Sequence, residues 1–310
     1  MSSIAYKILR YSGVAWLTRE VIQRRKVTFL LFHDMNVEDA ERNLTYLKRH
    51  YNIIALNDYL KAAKNQQTLP HKAMVITFDD GHVSNYDMLP IIKRLQIPIT
   101  IFLCSDIVGT QRHFWFRHNQ DVKAIVESFK QMPNGQRLEE LKAYGFDQQK
   151  EYPDTQALQK EHIEEMKPWV DFQSHTCFHP ILPQCDDETA RKEIADSKHE
   201  LENTYGLTVN AISYPNGDYS ERDIQVAKET GYACGITVDF GYNDLKSDLF
   251  RLKRISAGDA KSTTELMVKA SGCYALLKHK LHKPSYGFKS QSELKEQKEN
   301  ENSHTLRCHT

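Results

Sequence analysis

A chain of 310 residues whose 41 basic and 41 acidic side chains cancel carries no net charge. That balance excludes a general electrostatic attraction to nucleic acid or to a strongly acidic partner, so any ligand must be recognised by local chemistry. The length exceeds that of a common single domain but suits one α/β barrel of roughly 200–250 residues with terminal extensions. Six cysteines, scattered and without a C-x-x-C pair, exclude a disulfide scaffold and point to a reducing compartment.

Between Met1 and Lys26, the residues Ile4, Ile8, Leu9, Leu17, Val21 and Ile22 recur at near-helical spacing among Arg and Lys, which predicts an amphipathic helix over 1–26. Lys7, Arg10, Arg19 and Glu20 interrupt its apolar character, so neither a signal peptide nor a membrane-spanning helix is expected. Such a stripe either packs on its own domain or lies on a membrane surface. The expected location is the cytoplasm, with peripheral contact at the inner membrane surface as the second use of the helix.

From Val27 onward, short apolar runs alternate with helical patterns, as in βα units around a parallel sheet. Strands are predicted at Val27 to Phe32, Ala73 to Phe78, Ile97 to Leu103, Trp169 to Gln173, Val209 to Tyr214 and Cys234 to Val238. Ser84 with Asp87 forms the pattern of a capping box ahead of Met88, Leu89, Ile91, Ile92 and Leu95. Ala190, Ile194, Ser197, Leu201 and Tyr205 share one helical face that ends at Gly206, and Ser220 with Asp223 opens a helix over Glu221 to Thr230 that Gly231 closes. Residues 105–167 break the alternation with a polar stretch led by Phe114, Trp115 and Phe116, the pattern of a loop insertion that contacts substrate. The barrel domain is assigned 27–283, and 284–310, polar and poor in apolar residues, a disordered tail. No internal repeat is visible.

Two motifs carry chemistry. Thr77-Phe78-Asp79-Asp80-Gly81 stands at the carboxyl end of a strand, where α/β folds build their sites. Adjacent carboxylates there repel, and a bound cation or a raised pKa relieves the repulsion; a plain Asp-Gly turn is the competing explanation. Ser174-His175-Thr176-Cys177-Phe178-His179-Pro180 also follows a strand, and two histidines four apart converge on one ion if the segment between them turns helically. Two imidazoles and a carboxylate suit one divalent metal ion, Zn²⁺ first, with cobalt, nickel or iron as alternatives. Three protein ligands leave room for a water of lowered pKa, the nucleophile for an amide or ester carbonyl.

These motifs, in this order, resemble the polysaccharide deacetylases of carbohydrate esterase family 4, the NodB-type domain, over about 27–255. The resemblance implies an irregular, seven-stranded (β/α) barrel in which Asp79 is the catalytic base and Asp80, His175 and His179 bind the metal. Leu31-Phe32-His33-Asp34 resembles the opening of the extracellular-polysaccharide deacetylase branch, and Asn52 to Leu60 its next strand and helix, which places His33 at a strand end facing the site. Ile212-Ser213-Tyr214-Pro215-Asn216-Gly217 resembles the motif that lines one side of the groove; Tyr214 then supplies a backbone N–H to the oxyanion, with Pro215 beside it. Ser213, however, stands where many members carry an arginine that orients the base. Arg251 or Arg254 is the candidate replacement, against an ordinary basic surface strand. The family's late L-x-H motif has only the match Leu277-Lys278-His279, which lies on a helical pattern, so His33 or the conjugate acid of Asp79 is the substitute proton donor.

The function expected is metal-dependent removal of acetyl groups from N-acetylated sugars of a glycan or glycan precursor, with no nucleic-acid partner. A carbohydrate O-acetyl esterase and a non-catalytic sugar-binding protein are the alternatives.

Overall fold

The computed structural model describes residues 3–258 and 260–274. The tail assigned to 284–310 and the Leu277-Lys278-His279 match lie outside the described residues.

Eight parallel strands form the sheet: β1 (Val27–Phe32), β2 (Asn52–Ile53), β3 (Ala73–Phe78), β4 (Ile99–Leu103), β5 (Val170–Ser174), β6 (Ala211–Ser213), β7 (Cys234–Phe240) and β8 (Leu252–Ser256). β1 pairs with both β3 and β8, which closes seven of them into a barrel; β2 adds to β3 alone and stays outside the ring. The apolar runs explain the closure. Every residue of β1, β3 and β4 is buried, as strands covered on both faces require. Alternate residues divide between two cores. Val27, Phe29, Ala73, Val75, Phe102, Ala211, Ile236 and Leu252 meet inside the ring with Leu56, Tyr59 and Leu60 of helix Leu56–Asn65, whereas Leu30, Phe32, Met74, Ile76, Phe78 and Ile101 join the larger core that includes the surrounding helices.

The helix Asp187–Tyr205 buries the predicted face and ends at Gly206, and Glu221–Glu229 begins with the reciprocal Ser220–Asp223 box. The predicted Ser84–Asp87 box does not form. Residues Val83–Met88 make a 3-10 turn and the α-helix starts at Leu89, with the Ser84 hydroxyl donating to the Asp34 carboxylate. β8 comes from the basic run around Arg254.

Two extensions depart from expectation. The amino-terminal segment is not one α-helix: it breaks at Gly13, in the left-handed region at φ 78°, between Ser3–Tyr11 and Val14–Leu17, then continues as a π-helical turn Thr18–Ile22 and a 3-10 turn Gln23–Arg25. Tyr6, Leu9 and Ala15 pack against Val268 and Cys273, and Gln23 donates to the carbonyl of Ala270. The insertion is also no plain loop. Helices Gln120–Lys130 and Asn134–Lys142 enclose a small core of Trp115, Val122, Phe129, Leu141, Phe146 and Ile181. The five described cysteines are buried and unpaired.

Candidate active site

Parallel closure puts the carboxyl ends of β1, β3, β5, β6 and β8 around one mouth. At the end of β3 the backbone turns sharply: Asp80 and Gly81 both adopt φ 73°, and a Cβ on Gly81 would sit 2.6 Å from Leu103 Cδ2, so only glycine fits. The turn sends the two carboxylates to different partners, which an ordinary Asp-Gly turn has no need to do.

Asp80 meets the histidines. Its Oδ1 lies 3.4 Å from Nε2 of His175 and 3.4 Å from Nε2 of His179, and one ligand atom from each residue falls within 4.8 Å of the others. His175 Nδ1 donates to the carbonyl of Ser213 at 2.7 Å, which leaves Nε2 to face the carboxylate. Asp80 Oδ1 is buried without a hydrogen-bond donor, the condition a cation would relieve. The histidines converge through a loop rather than the helical turn expected. Thr176 at φ 67° and His179 at φ 56° bend it, and the buried carboxylate of Glu193 accepts from the backbone N–H groups of Cys177 and Phe178 at 2.8 and 2.9 Å.

Asp79 is gripped from β8 and β6. Arg254 on β8, 1% exposed, donates Nη1 to Oδ1 and Nη2 to Oδ2, both at 2.7 Å, while its Nε donates to the carbonyl of Thr237. Ser213 Oγ accepts from Arg254 Nη2 at 2.9 Å and donates to Asp79 Oδ2 at 3.2 Å. The guanidinium that β6 lacks is thus supplied from β8, two strands along the ring. Arg251 instead pairs with Glu221 and Asp248 at the surface.

Charge and burial oppose each other here. Burial pushes Asp79 up, but Arg254, His175 and His33 outweigh it and hold its carboxyl below the usual range. Asp80 is held well below that range, against burial, by His175, His82 and His179. Burial pushes His179 down to about 3, whereas His175 is raised because Asp79 and Asp80 overcome its burial. A divalent cation among these atoms would take the place of that proton.

The remaining predicted residues are Tyr214, Pro215 and His33. Tyr214 is not available as an oxyanion donor: its N–H is committed to the carbonyl of Ile236 at 3.0 Å, and its ring is buried with the hydroxyl donating to Phe250 O. Pro215, also buried, has no N–H. The turn's free amide belongs to the next residue, Asn216, at φ 58° and without an acceptor among the described residues. His33 stands exposed just past β1, close enough for its charge to act on Asp79.

A supporting shell that no motif announces surrounds these groups. His82 Nε2 lies 2.9 Å from Asp80 Oδ2 and directs Oδ1 toward the histidines. Arg117 Nη1 sits 3.0 and 3.1 Å from the two ring nitrogens of His82, over its face, and donates to Asp34 Oδ2 at 3.1 Å. Trp115 Nε1 donates to His179 O at 2.9 Å, and the Phe116 ring lies 4.7 Å from that of His179. The signal for His82 was its place directly after Gly81; for the insertion residues it was the aromatic cluster at 114–116.

The pattern that describes polysaccharide deacetylases matches residues 66–235, more than half of the chain. The chain belongs to the polysaccharide deacetylase family. The Bacillus subtilis (strain 168) protein YxkH, which bears the polysaccharide deacetylase name, is 23% identical over 258 residues, 80% of this chain and 76% of its own. Among solved structures, the Streptococcus pyogenes deacetylase PplD in complex with acetate is 21% identical, with TM-score 0.56 over 75% of this chain and 92% of that one. IcaB from Ammonifex degensii is 16% identical, with TM-score 0.59 over 80% and 97%. At these identities the structures speak for the barrel, and the family match for a deacetylase-type hydrolase.

Proposed function

We propose that this deacetylase is a metal-dependent hydrolase that releases acetate from N-acetylated sugars of a polysaccharide or glycan precursor. The observation that supports it most is the pairing of an ionised, doubly held Asp79 with the donor-free Oδ1 of Asp80 between two histidines. Asp80, His175 and His179 suit one divalent ion, Zn²⁺ first and cobalt, nickel or iron next. When bound, that ion supplies Lewis-acid polarisation of the acyl carbonyl and lowers the pKa of water.

The chain's own groups do the rest. Asp79 takes the proton from the attacking water as its oxygen bonds to the acyl carbon, and Arg254 keeps the carboxylate oriented for that transfer. The free N–H of Asn216 is our candidate donor to the oxyanion. When the C–N bond breaks, the amine is protonated by the acid form of Asp79 or by His33.

Metal content by elemental analysis, together with acetate release from N-acetylated and O-acetylated glycans, tests this. One ion per chain and turnover of the N-acetylated set are expected, with Asp79→Asn keeping its metal and losing about 10²- to 10⁴-fold in kcat. Undiminished turnover by Asp79→Asn refutes the base. Release from O-acetyl sugars alone makes the protein an esterase, and bound metal without turnover makes it a sugar-binding protein.

A further inference from the structure

Eight of the eleven exposed large apolar side chains among the described residues fall between positions 4 and 22. They form two stripes, Ile4, Ile8 and Tyr11 before the Gly13 break and Val14, Leu17 and Val21 after it, at i, i+4, i+7 and i, i+3, i+7. Other side chains of the same segment, Tyr6, Leu9, Ala15 and Gln23, anchor it to the helix Thr263–Ala270 and its surroundings, and Arg10 donates to Thr264 at 2.7 Å. The segment is therefore fixed to the barrel through one face while it presents apolar side chains on another. Isolated exposed apolar residues are ordinary in a soluble protein, but so many within one short segment mark a contact surface.

Charge selects the occupant. Lys7, Arg24 and Arg25 are exposed and in no ion pair among the described residues. The sole acidic side chain of the first 26 residues, Glu20, is already neutralised by Arg19 and Lys72. Apolar stripes flanked by unpaired cations, with the half-exposed Trp16 beside them, match the layered chemistry of an anionic lipid surface, where acyl chains meet a negative headgroup plane. A second copy of the chain would bring the same cations face to face. No helix among the described residues is long and apolar enough to cross a membrane. We propose that residues 4–25 form a peripheral docking face for anionic lipid bilayers, which holds the barrel at a membrane surface.

Flotation of the full chain with vesicles of phosphatidylcholine, alone or mixed with phosphatidylglycerol, tests the proposal. The protein is expected to float with the anionic vesicles and to release as salt is raised. Ile8→Glu with Leu17→Glu is expected to abolish flotation, and Arg24→Gln with Arg25→Gln to weaken it about fivefold per residue. Because these side chains are exposed, thermal unfolding and turnover of a soluble acetylated oligosaccharide are expected to match the parent. Failure to float with anionic vesicles, or flotation that Ile8→Glu with Leu17→Glu leaves unchanged, overturns the proposal. So does a vesicle-free dimer that Leu17→Glu converts to monomer, since a second copy would then be the occupant.

Discussion

Burial alone would push Asp79 toward its neutral form, and a neutral acid cannot act as a base. What keeps it ionised is the fork of Arg254, which meets both carboxylate oxygens and is itself locked by Thr237 O and Ser213 Oγ. Arg254→Gln removes the largest opposing charge and leaves burial in force, so the Asp79 pKa rises and the acid limb of the kcat/KM profile moves to higher pH. A fall in kcat/KM of about 10- to 100-fold is expected at neutral pH, the usual consequence of removing such a partner. An acid limb that stays in place while activity falls would show that the arginine only packs. At this site Ser213 Oγ and the distant Arg254 hold the Asp79 carboxylate together. The letters offer Arg251 and Arg254 alike, and only the fold shows that Arg254 points inward while Arg251 pairs at the surface.

The insertion shows how an element acquires a role through contacts rather than composition. Its polar letters resemble a substrate loop, yet its apolar residues find one another in a core of their own and fix the turn Trp115–Arg117 against the ligands. That turn holds His179 through Trp115 and Phe116, and covers His82 with Arg117 and with the Phe114 ring at 5.1 Å. His82 in turn holds Oδ2 of Asp80. His82→Phe keeps the edge-on ring contact with Phe114 and deletes the bond, so the carboxylate is free to rotate. Competition with a chromogenic chelator should show metal affinity about 10- to 100-fold weaker, at an unchanged thermal midpoint of the metal-free protein. Unaltered affinity would reduce His82 to a packing residue.

Across the whole molecule, the site makes stability depend on pH in two opposing ways. Asp79 and Asp80, with pKa values lowered by folding from 3.8, contribute stability that is present above that value and is lost as acid protonates them. Glu193 behaves in the reverse sense. Burial, against the two backbone N–H groups it accepts, raises it from 4.5 to about 7, so its contribution is full below pH 4.5 and is lost as pH rises through 7. Glu193→Gln cannot ionise. In paired thermal or urea melts of the metal-free protein, the variant should gain on the parent between pH 4.5 and pH 7, by on the order of 3 kcal/mol once Glu193 is ionised. A difference that does not vary with pH would show that Glu193 is already ionised at the lower end.

Much of this protein is legible without coordinates, for a local reason: strand burial, helix caps and the carboxyl-end placement of Asp79, Asp80, His175 and His179 all depend on near neighbours in sequence. The runs Val27 to Phe32 and Ala73 to Phe78 are strands because buried parallel strands need unbroken apolar letters, and the Ser220–Asp223 box sets a helix start by its own hydrogen bonds. What depends on separation was decided only by folding. Barrel closure brings residue 254 to residue 79, commits the Tyr214 amide to β7 and leaves that of Asn216 free, and seats the 114–117 turn on the histidines. The amino-terminal segment lies between these cases: its amphipathic spacing is local, but which of its faces the barrel covers is a property of the packed chain.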